Sequence, residues 1–111
     1  MRLIIAYVQP FVADRVADAL HRVPGVTGAT FMDARGFGRG RVAGVPTAEG
    51  IMGTAPRVRV EVGVHDGCEE AVVRAIATAA HTGRRGDGKV FVLPLDQATR
   101  ISTGEEGDRA V

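Results

Sequence analysis

Thr82-Gly83-Arg84-Arg85-Gly86-Asp87-Gly88-Lys89-Val90-Phe91-Val92 decides how this chain is read. Three glycines and three cations crowd its first eight positions, and three β-formers follow at once. Glycine lets a backbone come close to a ligand. Successive N–H groups in such a turn make a nest for an anion, and Arg and Lys add forks and point charges suited to phosphate. The spacing from Gly83 to Lys89 is that of a P-loop. However, Val90 stands where Mg²⁺ needs a hydroxyl, and a strand begins where a helix should. The stretch therefore predicts a phosphate cradle opening onto a strand, not a P-loop NTPase. The plainer alternative is a basic, Gly-rich surface turn between a helix and a strand.

Working outward, residues 67–80 read as a helix before the cradle, with Val72, Val73, Ile76, Ala79 and Ala80 on one face. Asp66 is its expected N-cap, and Glu69 and Glu70 fall in the first turn, where the dipole favours them. Residues 57–65 alternate Val58, Val60, Val62 and Val64 with Arg57, Arg59, Glu61 and Gly63, which is a strand pattern. Residues 40–56 show no periodicity and are punctuated by Gly and Pro. A loop of that length is usually functional or mobile. Earlier, residues 26–37 make a strand region. Residues 11–23 make a helix with Val12, Val16, Ala19, Leu20 and Val23 on its stripe, stopped by Pro24-Gly25. Residues 3–8 are unbroken apolar, so both faces of that strand are expected to be covered. After Pro94 the tail carries one short extended piece, residues 100–103, and an acidic end expected to fray.

The order β-α-β, long loop, β-α-β predicts an α+β, ferredoxin-like βαββαβ fold: a four-stranded antiparallel sheet with two helices on one face. Nothing in the chain is long enough to cover the other face. Other subunits must, so a homo-oligomer with clefts between neighbours is expected. At 111 residues and 45% hydrophobic the chain reads as a single globular domain, 1–111. A net charge of +1 gives no global pull toward nucleic acid or membrane. The lone Cys68 offers no intrachain disulfide and suits a reducing compartment. No apolar run approaches the roughly 20 residues of a membrane span, and residues 1–8 do not make a signal peptide. The expectation is a chain starting at Met1 in the cytoplasm, with no membrane insertion.

Four blocks in order resemble the PII signal-transduction family: Leu3-Ile4-Ile5-Ala6-Tyr7-Val8-Gln9-Pro10-Phe11, Arg35-Gly36-Phe37-Gly38-Arg39 before a long loop, residues 82–92, and Arg100-Ile101-Ser102-Thr103-Gly104-Glu105. The resemblance covers everything except residues 40–55. It implies a cytosolic trimer that binds ATP or ADP in clefts between subunits. It also implies control of a target, a membrane transporter or a metabolic enzyme, through a T-loop at about residues 38–56. Carried over by position, Gly36, Phe37, Gly38 and Arg39 flank the nucleotide, Gly28 and Thr30 line the adenine side, and Glu61, Val62 and Gly63 lie under the base. Gly86, Asp87, Gly88 and Lys89 hold the phosphates, and Arg100, Ser102 and Thr103 come from the neighbouring subunit.

The chain departs from the family at telling positions. Ser102 replaces a phosphate-binding Arg, exchanging a fork for a hydroxyl; Arg84 or Arg85 is available to compensate. Gly40 replaces a Gln that serves Mg²⁺ and 2-oxoglutarate, and Gln9 replaces a Lys, while Arg57 keeps a cation where the family has Lys. These changes argue against the usual 2-oxoglutarate sensing. The only Tyr is Tyr7, so the loop offers none to uridylylate; its hydroxyls are Thr47 and Thr54. Asp87 reads as a turn-stabiliser, with no His-Asp-Ser or paired-carboxylate pattern beside it. His65 and Cys68 are too few for a metal site, and His21 and His81 suit helix C-termini. The reading is a divergent PII-like regulator without catalytic residues. The rival readings are an acylphosphatase-like hydrolase using Arg39, and a trimeric metal-tolerance protein of the CutA type.

Overall fold

The computed structural model describes residues 1–38 and 54–111. Four strands, β1 (Arg2–Val8), β2 (Thr30–Gly36), β3 (Ala55–Val64) and β4 (Gly88–Pro94), form one antiparallel sheet in the order β2-β3-β1-β4. Two helices, α1 (Ala13–His21) and α2 (Glu69–Ala80), lie on one face. This is the expected ferredoxin-like βαββαβ arrangement.

The alternation of side chains decides what each strand does. Ile4, Ala6 and Val8 of β1 and Val60, Val62 and Val64 of β3 point to the helices and are buried. They meet Val12, Val16 and Leu20 from the first helical segment and Val72, Ile76 and Ala80 from α2. The apolar stripes read at helical spacing are the stripes that pack. Burying each such Val, Ile or Leu side chain favours folding by about 1.5–3 kcal/mol before entropy is counted.

The other face of β1 is not fully covered in the single chain. Leu3, Ile5 and Tyr7 are only half-buried. Register places them in rows that cross the sheet: Gly63, Leu3 and Leu93; then Thr30, Glu61, Ile5 and Phe91; then Met32, Arg59, Tyr7 and Lys89. The second face of β1 is thus left open by the chain's own elements, as expected of a face that other subunits were to cover. Phe91, Leu93 and Met32 are exposed there as well.

Several boundaries also differ from expectation. Residues 10–12 form a 3₁₀ turn, Pro10–Val12, before α1 begins. Pro10 holds Gln9 extended, and Val12 N donates to the Gln9 carbonyl at 3.2 Å, a tight i→i+3 closure. β2 starts at Thr30, not at residue 26; the preceding residues turn through Val26 N to Val23 O and only then reach the ladder. Asp66 is not the N-cap of α2. Cys68 holds that position, the Glu69 carboxylate takes the Gly67 N–H at 2.7 Å, and Asp66 faces Arg2 at 3.4 Å. A turn closed by Cys68 N to His65 O puts Asp66 too far ahead of the helix. β4 runs through Pro94, which an edge strand tolerates. The tail is not extended over residues 100–103. It doubles back, with Arg100 N on the Glu105 carbonyl and a bridge between Thr99 and Glu106. Its end is a 3₁₀ turn, Gly107–Ala110, where fraying was expected.

Candidate functional site

One end of the sheet gathers the end of β1, the end of β2, the start of β3 and the start of β4, because antiparallel pairing sets Val8 against both Val58 and Gly88. A cleft opens there. The cradle forms one wall, with Arg84, Arg85, Gly86, Asp87, Gly88 and Lys89; Gly36, Phe37 and Gly38 lie across from it, joined by Thr54, Ala55 and Arg57. Five cations (Arg35, Arg57, Arg84, Arg85 and Lys89) face it, and Asp87 is the one acidic side chain among the described lining residues. Such a concave, one-signed surface concentrates anions.

The cradle is built from within. Asp87 accepts from Thr82 N at 2.8 Å, from Gly83 N at 3.2 Å and from the Thr82 hydroxyl. Arg84 N in turn donates to Thr82 Oγ1 at 3.2 Å. The Thr82 hydroxyl and then its backbone N–H hold the Asp87 carboxyl below the ordinary carboxylate range. Asp87 is thus spent on the turn, and Arg84, Arg85, Gly86, Gly88 and Lys89 are what remains to face an anion. His81 sits just past α2 in extended backbone, with Nδ1 3.7 Å from Asp87, rather than as a last helical residue. Gly86 takes a φ of +86°, a conformation in which L side chains are strained.

Behind the cleft, Arg59 is held at the centre of a polar cluster on the open sheet face. It donates through Nε to Glu61 at 2.9 Å, pairs with it again through Nη2 at 2.6 Å, and donates through Nη1 to the Tyr7 hydroxyl at 2.8 Å. The Glu61 carboxylate is the larger of the two influences that keep Arg59 charged. The Tyr7 ring meets Phe91 edge-on, with centroids 6.4 Å apart.

The residues carried over from the resemblance divide in three. Gly36, Phe37, Gly38, Gly86, Asp87, Gly88 and Lys89 share the cleft. Thr30, Glu61 and Gly63 lie on the open face, while the Val62 side chain is buried in the core and Gly28 stands beside the end of α1. Arg100, Ser102 and Thr103 sit on the exposed tail beyond β4. β4 leads away from the cleft for seven residues, roughly 20 Å of strand, and Asp108 of the tail lies 3.8 Å from His65, just past the far end of β3, so the tail packs at the end of the sheet away from Lys89. Arg39, Gly40 and Thr47 fall outside the described residues, as does most of the expected T-loop.

Sequence reasoning did not assign Tyr7, Phe91, Arg35 or Thr54 to the cleft that they line. Tyr7 read as a buried strand residue. The available clue was its parity: it alternates with Ala6 and Val8, so it faces away from the helices. Arg35 donates to Thr54 Oγ1 at 3.3 Å and ties the two strand ends that bracket residues 39–53.

Among the described residues no helix is long and apolar enough to cross a membrane. A family model described as nitrogen regulatory protein P-II matches residues 1–105. The chain is 44% identical to the nitrogen regulatory protein P-II of Azospirillum brasilense, 44% identical to that of Rhizobium meliloti and 40% identical to nitrogen regulatory protein P-II 1 of Escherichia coli; each alignment covers the whole of both chains. With the fold above, these likenesses make the chain a PII-like regulatory protein, a member of the nitrogen regulatory protein P-II family.

Proposed function

We propose that this protein is a nucleotide-sensing regulatory trimer, not an enzyme, that binds ATP or ADP in clefts between subunits and controls a target transporter or metabolic enzyme through a T-loop at about residues 38–56. The observation that carries this reading is the make-up of one cleft. The phosphate cradle lines it together with Gly38 and Thr54, from the two ends of that loop. A polyphosphate held by Lys89 and the cradle would lie within reach of both ends at once.

The split of the carried-over residues supports the oligomer. Lys89 is at one end of the sheet, Arg100, Ser102 and Thr103 lie beyond the other, and between them runs an open face that carries Leu3, Ile5, Phe91 and Leu93 beside the Arg59–Glu61 pair. A neighbouring copy packed on that face would bring its own tail to the cleft. Regulation then works by population shift: a nucleotide that contacts residues 36–38 and 54–57 differently in two loop states favours one of them, and the target reads the outcome. Mg²⁺ and 2-oxoglutarate are not assigned, since Gln9 and Gly40 stand where the family's donors to them would be.

Calorimetric titration with ATP, ADP and AMP tests the proposal. Saturable binding of at least one of them by an assembly of three copies is expected. No binding of any up to millimolar concentration ends it.

A further inference from the structure

We infer that Gln9 is the positioning residue of the phosphate cradle, a latch that holds the loop in its binding shape before any ligand arrives. The inference rests on the proposed nucleotide reading. The Gln9 side-chain amide donates to the Gly86 carbonyl at 2.7 Å, joining the end of β1 to a loop 77 residues further along the chain. Gln9 is itself well placed to do this. Its backbone is extended by the following Pro10, and its carbonyl is held by Val12 N.

Gly86 is the natural point of purchase. A Cβ there would lie 3.2 Å from the Gln9 amide nitrogen and 3.6 Å from the Arg57 guanidinium, so a side chain at this position would meet both. Elsewhere in the loop Asp87 gathers Thr82 and Gly83, Arg84 N donates to Thr82 Oγ1, and the β4 ladder begins at Gly88. Between those contacts the glycine backbone has more conformations to lose than any other residue would. An unlatched loop would lose that freedom on binding, at the expense of affinity; a latched one has lost it already. Gln9 lines the cleft, and its bond to Gly86 is what sets the shape of the cradle beside it.

Two uncharged variants, Gln9→Leu and Gln9→Met, remove the donor at similar size. Hydrogen exchange of the protein without nucleotide is expected to rise in the peptide spanning residues 82–88, with α2 and β1 unchanged. Affinity for ADP is expected to fall about fivefold, the worth of one ordinary hydrogen bond, and affinity for adenosine to stay the same. A loop that merely helped the fold would instead lower protection everywhere and weaken both ligands alike. Unchanged exchange of residues 82–88 in both variants overturns the latch. Raised exchange with an unchanged ADP-to-adenosine ratio overturns its role in binding. A wild-type protein that fails to bind ADP at all overturns the nucleotide reading, and with it the role of Gln9 in phosphate binding, whatever the exchange pattern.

Discussion

Gly88 lies so close against the Tyr7 carbonyl that a Cβ on it would overlap that oxygen and crowd the Val8 backbone. This contact joins the end of the cradle to the strand at the centre of the sheet, where Gly88 pairs with Val8. Its φ of +115° is also outside the range that L side chains favour. Gly88→Ala therefore combines backbone strain with an overlap that no side-chain rotation relieves. A loss of about 3 kcal/mol or more is expected. Gly28→Ala, where a Cβ meets open space, should stay within about 0.5 kcal/mol of the parent. Urea midpoints at matched protein concentration check both; equal midpoints would show that the strand end can shift to admit a methyl group.

The Asp87 carboxyl gives the cradle a defined response to acid. Hydrogen bonds from Thr82 and Gly83 lower its pKa in the folded state. For a depressed carboxyl the contribution to stability is complete above the unfolded value of about 3.9 and is lost as pH falls through the lower folded value. The cradle should therefore keep its shape through ordinary mild acid and loosen only below the normal carboxylate range. Carbon-13 NMR of the Asp87 carboxyl should show a midpoint below the ordinary Asp value of about 3.9. Thr82→Val should move it upward, because the hydroxyl is the first of its donors. A midpoint that ignores Thr82→Val would remove the hydroxyl as the cause.

Lys89 and Ser102 should act on the same phosphates from two copies of the chain. Lys89→Ala is expected to weaken ATP and ADP binding at least tenfold, or about 1.4 kcal/mol. Ser102→Arg is expected to strengthen ATP more than ADP, by restoring a guanidinium fork where the chain has only a hydroxyl. Mixing the double variant Lys89→Ala/Ser102→Arg with the parent protein tests the geometry. If the two groups come from different copies, hybrid assemblies contain clefts with the parent's Lys89 and the fork added by Ser102→Arg on its neighbour, and bind ATP more tightly than the parent; if they came from one copy, no cleft would hold both. Unchanged affinity in Lys89→Ala would mean the cradle holds something other than a polyphosphate.

Much of this architecture was legible in the residues because each element carries its own periodicity. Val58 to Val64 alternate as a half-buried strand must, and Val72, Ile76 and Ala80 fall on one helical face. The cradle was legible as a loop, since Gly83, Gly86 and Gly88 interrupt any regular pattern. The misreadings came where tertiary contacts or one atom decide. Asp66 has the chemistry of an N-cap, but the turn at residues 65–68 leaves it short of the helix start. The tail has no periodicity to read, and only the pairing of Arg100 with Glu105 shows that it doubles back. The cleft itself joins residues as far apart as Gln9 and Gly86, and no local pattern reports a contact over 77 residues. Residues 26–29 looked like strand because Val26 is apolar, yet Val26 packs on the core without joining the ladder.

The open face of the sheet should be where copies meet, and Leu93 separates that claim from folding. Leu93 lies on the face away from the helices, across from Leu3 and near the end of the sheet remote from the cleft. It is 40% exposed in the single chain, so a charge there costs the isolated fold little. In an assembly built on this face the same charge would be buried without a partner, which is severely destabilising. Leu93→Asp should therefore keep its circular dichroism spectrum but lose the assembly, its mass by light scattering falling from three times 11.7 kDa toward a single chain. Nucleotide binding should fall with it, although Leu93 is remote from Lys89, because the neighbour's tail would no longer reach the cleft. Lys89→Ala should do the opposite, weakening nucleotide while leaving the mass intact. A Leu93→Asp protein that stays assembled, or that dissociates yet binds ATP as tightly as the parent, would place the contact surface or the ligand elsewhere.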